Sequence, residues 1–380
     1  MVHDKSRLGI GVIGCGHWGP NHIRVFSEHE RSVVRGCADL SAARLENIRR
    51  RFPEVRTTTQ YAELLADETI EAVVIATPTA THARIAQEAL WAGKHVLVEK
   101  PLCRTSEEGV ALIETAERAR RVLMVGHIFL FNGGIIKLKE LLCGGELGRV
   151  QYLDAVRTNL GPVRGDVNAL FDLGTHDISI FNYLLGQAPI SVSATGSRLS
   201  QAAIEDVCFA TLQYADGTLA HLHASWLNPR KVRTITIVGS SKMAHWDDID
   251  PQDTLRIFDK GLAEPPNYNS FGEFQYLIRS ADVHVPAVPR AEPLVRQAET
   301  FVRWVKDAGP AGPTARDGLD VVRTLEAAMT SLRRDGAMVE VAAPIVHDER
   351  ILATASGSAI AVGIPRGSES ETAYASIDTH

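Results

Sequence analysis

The sequence has 380 residues, of which 45% are hydrophobic and 23% charged, and its formal net charge is -6 at pH 7. This length and composition predict a soluble globular protein with two domains. The acidic balance and the lack of a long basic run argue against nucleic acid and anionic membranes as partners.

The five cysteines are scattered and show no Cys-x-x-Cys spacing. This distribution argues against a disulfide framework and a zinc site, and it suits a reducing cytoplasm. His221 and His223 alternate along a predicted strand and so face one side, but no third metal ligand accompanies them. The sequence shows no signal-peptide pattern and no apolar stretch of membrane-spanning length. We therefore expect a cytoplasmic protein without a metal site.

Strand-like and helix-like segments alternate regularly through the first third of the chain. The predicted strands span residues 8–13, 33–38, 71–76, 94–98 and 122–125, and the predicted helices span residues 21–26, 42–51, 79–91 and 106–121. Ser41 is the expected cap of the second helix, and Thr105 or Ser106 that of the fourth. This alternation is typical of βαβ units. We predict an α/β Rossmann domain with a doubly wound parallel sheet over residues 1–127.

The pattern changes after Gly126, where longer strand-like segments dominate. Strands are predicted over residues 150–159, 190–198, 207–214, 218–226, 233–238 and 338–341, and helices over residues 132–142, 173–185, 294–306 and 317–333. Asp216-Gly217 lies between two of these strands and predicts a hairpin. We predict an α+β domain with a large, mostly antiparallel open sheet over residues 128–342. Residues 343–380 are rich in small and polar residues, so we expect a flexible tail.

The first turn of the chain reads Gly14-Cys15-Gly16-His17-Trp18-Gly19, between a predicted strand and a predicted helix. In this context the Gly-x-Gly-x-x-Gly spacing indicates a dinucleotide site rather than an ordinary glycine-rich turn. Gly14 permits the tight turn, Gly16 lets a pyrophosphate approach the backbone, and Gly19 lets the helix pack close to the strand. The start of the helix favours the phosphates. Trp18 either covers the pyrophosphate or packs against the protein.

Asp39 closes the second predicted strand, where a carboxylate reads the adenosine ribose. It would accept hydrogen bonds from the ribose hydroxyls and repel a ribose phosphate, which favours NAD over NADP. NADP stays open as an alternative, because Arg44 on the next helix could reach round to the ribose.

Lys100 follows the predicted strand 94–98, in the sequence Glu99-Lys100-Pro101. Ligands of open parallel sheets bind beyond the carboxyl ends of the strands. A lysine there can hydrogen-bond a reacting oxygen and stabilise charge during hydride transfer. The alternative is a surface lysine before a turn proline.

Asp172 and His176 are four residues apart at the start of a predicted helix and would share one face. A histidine suits general acid/base chemistry, and the carboxylate would orient it and raise its pKa, against the opposing charge of Lys100. The alternative is a helix-start aspartate beside a half-buried histidine. Thr77, Pro78 and His82 follow the strand 71–76 at the same edge of the sheet. The predicted cofactor contacts are Gly14, Gly16, His17, Trp18, Gly19, Asp39, Thr77, Pro78, His82, Glu99 and Lys100.

In combination, these motifs resemble those of the Gfo/Idh/MocA oxidoreductases, the glucose-fructose oxidoreductase and inositol dehydrogenase family. The matching segments are the glycine turn, Ala76-Thr77-Pro78 with His82, Glu99-Lys100-Pro101, Gly126-His127, and Asp172 with His176, within about residues 7 to 342. The resemblance implies NAD(P)-linked hydride transfer on a sugar, nucleotide sugar or polyol, with Lys100, Asp172 and His176 as catalytic residues. It also implies a homodimer or homotetramer that associates through the C-terminal sheet.

The segment 125–133 is most similar to that of nucleotide-sugar 3-dehydrogenases, whereas Ser179 stands where many relatives carry a second aspartate. Two alternatives to a sugar dehydrogenase or ketoreductase stay open. One is a cofactor-binding regulator that lost turnover, although such a protein would need neither Lys100 nor His176. The other is a glycosidase or transhydrogenase that recycles bound NAD within one turnover.

Overall fold

A computed structural model describes residues 7–165, 167–200, 204–263, 277–279, 282–307 and 314–342 of the chain. The expected tail, residues 343–380, lies outside the described residues. Two large sheets organise the rest, one of six strands and one of nine. Within the described ranges, no helix has both the length and the apolarity needed to cross a bilayer.

The six-stranded sheet is parallel throughout, as its apolar runs predicted. Its strands are β1 (Leu8–Ile13), β2 (Ser32–Ala38), β3 (Arg56–Thr58), β4 (Ala72–Ile75), β5 (His95–Glu99) and β6 (Leu123–Gly126). They lie in the order β3-β2-β1-β4-β5-β6, so the order reverses between β1 and β4. Every residue of β1 and β4 is buried, because helices cover both faces. A crevice for a ligand is expected where the order reverses.

Five helices connect these strands. They are α1 (Gly19–Glu28), α2 (Ala42–Arg51), α3 (Tyr61–Ala66), α4 (His82–Trp91) and α5 (Ser106–Ala119). Ser41 caps α2 by accepting from the backbone N–H of Arg44, and Thr105 caps α5 by accepting from that of Glu108. Both caps were predicted. β3 and α3 were not predicted, because their few residues carry too short a periodic pattern.

The nine-stranded sheet is antiparallel except for the pair β7 and β10, which agrees with the predicted α+β architecture. Its order is β16-β13-β12-β11-β7-β10-β9-β8-β17, and a small sheet pairs β14 with β15. The bounds are β7 (Val150–Leu160), β8 (Ser191–Ser197), β9 (Val207–Gln213), β10 (Leu219–Ser225), β11 (Leu227–Gly239), β12 (Met243–Asp247), β13 (Leu255–Phe258), β14 (Gly261–Ala263), β15 (Leu277–Arg279), β16 (Val283–His284) and β17 (Val339–Glu340). The sequence analysis predicted only part of β11 and missed β12 to β16.

Four longer helices accompany this sheet: α6 (Gly133–Cys143), α7 (Thr175–Leu185), α8 (Pro293–Asp307) and α9 (Ala315–Leu332). The predicted hairpin at Asp216-Gly217 joins β9 to β10, with Gly217 at φ +85°. The predicted start of α7 is wrong. Residues Leu170–Gly174 form one π-helical turn and the α-helix begins at Thr175. Asp172 therefore lies in a wider turn than His176, and the two residues do not occupy the same helical repeat.

Candidate active site

The glycine turn after β1 has a different steric requirement at each glycine. Gly14 has φ +95°, and a Cβ there would lie 2.6 Å from the carbonyl oxygen of Ala76. A Cβ on Gly19 would lie 2.0 Å from the carbonyl oxygen of Gly14, so α1 packs against the turn itself. A Cβ on Gly16 would meet no atom within 4 Å among the described residues. Two glycines are therefore needed by the fold, whereas Gly16 leaves backbone open to a ligand.

Asp39 is held rigidly at the end of β2, beside this turn. Its Oδ2 accepts from the backbone N–H of Cys15 at 2.7 Å, and its Oδ1 accepts from that of Ser41 at 2.8 Å. The Arg44 guanidinium lies 3.5 Å from Oδ2, on the solvent side. The carboxylate and the glycine turn therefore stand at neighbouring strand ends, as predicted for a ribose-reading residue.

His82 and Glu99 bind protein groups in this structure. The two ring nitrogens of His82 lie 2.9 Å from the carbonyl oxygens of Thr77 and Pro101. Burial lowers the pKa of His82, and these carbonyl contacts oppose that shift. Glu99 Oε1 lies 2.8 Å from Nε2 of His22 on α1. His82 thus holds together the loops that follow β4 and β5, and Glu99 links the end of β5 to α1.

His17 and Trp18 lie at the outer side of the glycine turn. Their rings pack edge to face with centroids 5.3 Å apart, and His17 is exposed. The hydroxyl of Thr77 accepts a 2.7 Å hydrogen bond from the hydroxyl of Thr81. Pro78 therefore lies between two residues that are hydrogen-bonded to each other. These residues surround the carboxyl ends of β1 and β4, where the sheet order reverses.

Lys100 and Asp172, 72 residues apart in sequence, meet in the folded chain. Nζ of Lys100 donates to the backbone carbonyl of Asp172 at 2.8 Å and lies 3.3 Å from its Oδ1. Arg164 donates to the same Oδ1 at 3.1 Å, and the indole N–H of Trp226 lies 3.4 Å from Oδ2. We call Lys100, Asp172, His176, Arg164 and Trp226 the Lys100 cluster. Sequence reasoning missed Arg164 and Trp226, since neither lies in a motif and only tertiary contact reveals them.

Burial and charge act in opposite directions on Lys100. Its side chain is 13% exposed, and desolvation lowers its pKa. The Asp172 and Glu99 carboxylates raise the pKa of Lys100, whereas Arg164 lowers it further. Asp172 is therefore the main group that opposes the effect of burial on the pKa of this lysine.

His176 lies against Phe129, with the ring centroids 4.9 Å apart. Its Nδ1 is buried and has no hydrogen-bond partner in the part of the chain that the structure describes. Desolvation lowers the pKa of His176 well below 6.5, and the positive charges of Lys100, Arg157 and Arg233 add to this shift. The net direction of this pKa, which the opposing charges of Asp172 and Lys100 left open in the sequence, is therefore downward, and the Asp172 carboxylate is bound by Lys100 and Arg164.

A buried ion pair packs against Phe129, the ring that contacts His176. Arg157 on β7 binds Asp177 on α7 through two guanidinium nitrogens, at 3.0 and 2.7 Å. The guanidinium of Arg157 lies 4.4 Å from the centroid of Phe129. Because the pair is bidentate and almost fully buried, it fixes Phe129 and hence the position of His176.

Two family patterns cover this architecture. Residues 8–127 match the oxidoreductase family with an NAD-binding Rossmann fold, and residues 135–245 match the GFO/IDH/MocA C-terminal domain. The chain is 32% identical to the UDP-N-acetylglucosamine 3-dehydrogenase of Acidithiobacillus ferrooxidans, over 70% of this chain and 80% of that protein. The chain belongs to the Gfo/Idh/MocA oxidoreductase family. This confirms the predicted family, the Rossmann fold and the NAD cofactor.

Other members of the family extend the comparison over most of the chain. The scyllo-inositol 2-dehydrogenase (NADP(+)) of Bacillus subtilis is 28% identical, over 85% of this chain and 92% of that protein. The crystal structure of GenD2 from gentamicin A biosynthesis, in complex with NAD, is 29% identical with a TM-score of 0.75. That comparison covers 89% of this chain and 97% of GenD2. The family thus includes proteins named for nucleotide-sugar and for polyol substrates.

The glycine turn of this chain fits the dinucleotide that the family binds. Gly16 presents open backbone, and the first turn of α1 contains no acidic side chain that would cancel the positive end of the helix dipole. The rigid Asp39 carboxylate lies beside the turn with lone pairs left for ribose hydroxyls. The residues present are therefore suited to hold NAD.

Proposed function

We propose that this protein is a dehydrogenase that moves a hydride between NAD and a hydroxyl-bearing carbon of a sugar, nucleotide sugar or polyol. The observation that carries the proposal is the Lys100 cluster. It places a buried ammonium, a carboxylate and a neutral imidazole beyond the carboxyl end of β5, which is the edge where the glycine turn also lies. The similarity to nucleotide-sugar and inositol dehydrogenases supports this substrate class.

Lys100 is proposed to hydrogen-bond the oxygen of the reacting carbon. As the alcohol becomes a ketone, this oxygen carries developing negative charge, which an ammonium in a dry site stabilises strongly. Asp172 favours the protonated form of Lys100 and fixes its position through the 2.8 Å contact with the backbone carbonyl. Arg164 and Trp226 in turn hold the carboxylate.

His176 is proposed as the general base for oxidation. Its lowered pKa keeps the imidazole neutral at neutral pH, which is the form that can accept the hydroxyl proton. Since Nδ1 is buried, we assign proton transfer to Nε2. In the reverse direction the protonated ring returns the proton to the oxygen.

The cofactor is proposed to lie along the carboxyl ends of β1, β2 and β4, and the chemistry that NAD supplies when bound is acceptance of the hydride. The glycine turn and the start of α1 would hold its pyrophosphate, and Asp39 its adenosine ribose. Thr77 and Pro78 would form the wall beside the nicotinamide half, with His82 holding that wall in place, and Glu99 would lie beside it, bound to His22 of α1. His17 and Trp18 would cover the pyrophosphate from the solvent side.

We further propose that the chain forms a homodimer or homotetramer through the open face of the nine-stranded sheet. Tyr152, Phe209 and Leu219 are each more than 40% exposed there, on the adjacent strands β7, β9 and β10. Exposed apolar side chains in one patch favour association. We also propose that the domains comprise residues 1–127 and 128–342, and that the protein is cytoplasmic. The five free cysteines suit a reducing compartment.

A steady-state assay tests the proposed reaction. The purified chain is incubated with NAD or NADP and a panel that includes UDP-N-acetylglucosamine, scyllo-inositol and neutral hexoses, and free NADH or NADPH is followed by absorbance. We expect at least one member of the panel to give sustained NADH release. Tight NAD binding without any NADH release would contradict the proposal and favour a regulator or an enzyme that recycles bound NAD.

A further inference from the structure

A cavity of about 370 Å³ lies beside α7 and α9. Among the described residues, its wall contains neither Lys100 nor Asp172 nor His176, so it is separate from the Lys100 cluster. Its volume falls in the range of small-molecule sites. The polar side chains of its wall are His127, Lys139, Ser179, Asn182, Tyr183, Gln187, Asp317 and Asp320.

Two of these side chains carry buried polar atoms that need a partner. His127 is 1% exposed, and neither of its ring nitrogens is hydrogen-bonded to any residue that the structure describes. Nδ2 of Asn182 is also buried without a hydrogen-bond partner among the described residues, whereas its Oδ1 accepts a hydrogen bond from the hydroxyl of Tyr214 at 3.0 Å. Buried polar groups in native proteins are almost always satisfied by protein, water or ligand. His127 and Asn182 both line the cavity, so these unpaired polar atoms lie within its wall.

The protonation state of His127 points to the kind of partner it needs. Burial lowers the pKa of His127 to about 4, with opposing contributions from Asp317 and Glu99 and a further lowering by Lys100. At neutral pH the ring is neutral, so one nitrogen donates and the other accepts. A hydroxyl group, which also donates and accepts, can pair with either nitrogen, whereas a carboxylate pairs only with the donor and an ammonium only with the acceptor.

The charges around the cavity disfavour an anion. Asp317 and Asp320 contribute two carboxylates, against the single ammonium of Lys139. Asp317 accepts two hydrogen bonds from Thr314, and Asp320 accepts one from Arg323, so both carboxylates keep further lone pairs for hydroxyl donors. The ring of Tyr183, with Leu130 and Val321, supplies the apolar part of the wall for C–H groups.

We propose that this cavity binds a neutral, polyhydroxylated small molecule of monosaccharide size, a sugar or a polyol, at a site distinct from the substrate site. Such a molecule alternates hydroxyl groups with C–H faces, which matches the mixed wall. Ser179 contributes to the selectivity, because it is smaller than the aspartate that the family resemblance leads one to expect and carries no charge.

The cavity is joined to His176 through one helix. Ser179, Asn182 and Tyr183 lie on α7, the helix that carries His176. The hydroxyl of Ser179 donates to the backbone carbonyl of His176 at 2.7 Å. Resting on the proposed function, we infer that occupancy of the cavity changes turnover by shifting this turn of α7. The binding itself does not depend on the proposed function.

Calorimetric titration of the purified full chain with myo-inositol, sorbitol and glucose, without NAD, tests the site. Gluconate serves as the anionic comparison. We expect a neutral polyol to bind with a dissociation constant of about 1 mM or tighter, and gluconate to bind at least fivefold more weakly. Hydrogen exchange of residues 182–190 should slow on binding, which locates the ligand at this cavity.

Two variants test the cavity itself. Ala188→Trp fills it from the wall, and His127→Phe removes both ring nitrogens while keeping a ring; each should weaken binding about tenfold or more and abolish the exchange protection. His95→Phe is the matched control, because His95 also has a pKa lowered to about 4 by burial but lies outside the cavity wall. Its binding should equal that of the wild type.

Three results would overturn the inference: no neutral polyol binds, gluconate binds more tightly than every neutral polyol, or both variants bind like the wild type. These outcomes are separate from the dehydrogenase assay. A chain that binds a polyol here but never releases NADH contradicts only the proposed function. An active chain whose variants keep wild-type binding contradicts only the second site.

Discussion

The glycine turn and the Lys100 cluster lie at the same edge of the parallel sheet but are built in opposite ways. The turn is contiguous, and its requirements are backbone distances such as the 2.0 Å that a Cβ on Gly19 would leave to Gly14. The cluster joins side chains from four separate segments through charges and hydrogen bonds. Cofactor binding therefore depends on local conformation, and proton transfer depends on tertiary contact.

The two regions also differ in what controls their chemistry. Around the turn, open backbone and the helix dipole act whatever the pH. In the Lys100 cluster, burial lowers the pKa of both Lys100 and His176, while Asp172 acts mainly on the lysine. Substitutions in the cluster should change rate and pH dependence, and substitutions in the turn should change cofactor affinity or folding.

The largest effect is expected from Lys100→Met, which removes the ammonium and keeps a side chain of similar length. Turnover should fall on the order of a hundredfold or more, the scale of losing one transition-state donor. Folding and NAD affinity should stay near wild type, because the glycine turn is untouched. Steady-state kinetics and fluorescence titration with NAD measure the two quantities. A variant that keeps most of its activity would show that the cluster is not the reacting site.

His176→Ala should lower the oxidation rate at neutral pH by roughly a hundredfold. In the wild type, oxidation requires neutral His176, so the rate should fall only as the pH drops through the lowered pKa of this residue, well below 6.5. This acid limb should be lost in the variant. Turnover measured against pH for both proteins makes the comparison, and an acid limb shared by both would assign the proton to another group.

Asp172→Asn tests which partner the carboxylate serves. The carboxylate raises the pKa of Lys100, so its removal should lower that pKa and move the alkaline limb of the rate profile to lower pH. The acid limb of His176 should stay in place, because the carboxylate is bound by Lys100, Arg164 and Trp226. A shift of the acid limb instead would show that Asp172 acts on His176, as the sequence spacing alone suggested.

Gly16→Ala and Gly19→Ala form a matched pair within the turn. The Gly16 variant should fold normally and bind NAD about tenfold more weakly, because its Cβ occupies open space that the pyrophosphate needs. The Gly19 variant should lose about 1–3 kcal/mol of unfolding free energy, because its Cβ collides with the Gly14 carbonyl. Denaturant unfolding and NAD titration separate the two effects. Equal behaviour of the two variants would contradict the division of roles.

The smallest effect is expected from Asp39→Ala. Wild-type protein should bind NAD more tightly than NADP by a modest factor, and the variant should lose that preference as the repulsion of the ribose phosphate disappears. Arg44, now freed from the carboxylate 3.5 Å away, should favour NADP further. Fluorescence titration with both cofactors is the measurement. Wild-type protein that prefers NADP, or an unchanged ratio in the variant, would show that Asp39 does not read the ribose.

Most elements of the fold could be predicted from the sequence because their signals are local. The buried apolar run of β4, the Thr105 cap and the Asp216-Gly217 hairpin each depend on a few adjacent residues. Strands such as β12 and β13 were missed since they are short and stabilised by pairing with distant partners. The π-helical turn before α7 likewise has no signal in residue spacing.

The sequence by itself determined the nucleotide turn, the edge of the sheet at which we propose that the chemistry occurs, and the residue types available there. Only the tertiary structure decided that Asp172 pairs with Lys100, that Arg164 and Trp226 join them, and that His176 is neutral. The physical reason is the distance along the chain over which each interaction acts. Backbone conformation follows from neighbouring residues, whereas desolvation and charge pairing depend on which distant segments the fold brings into contact.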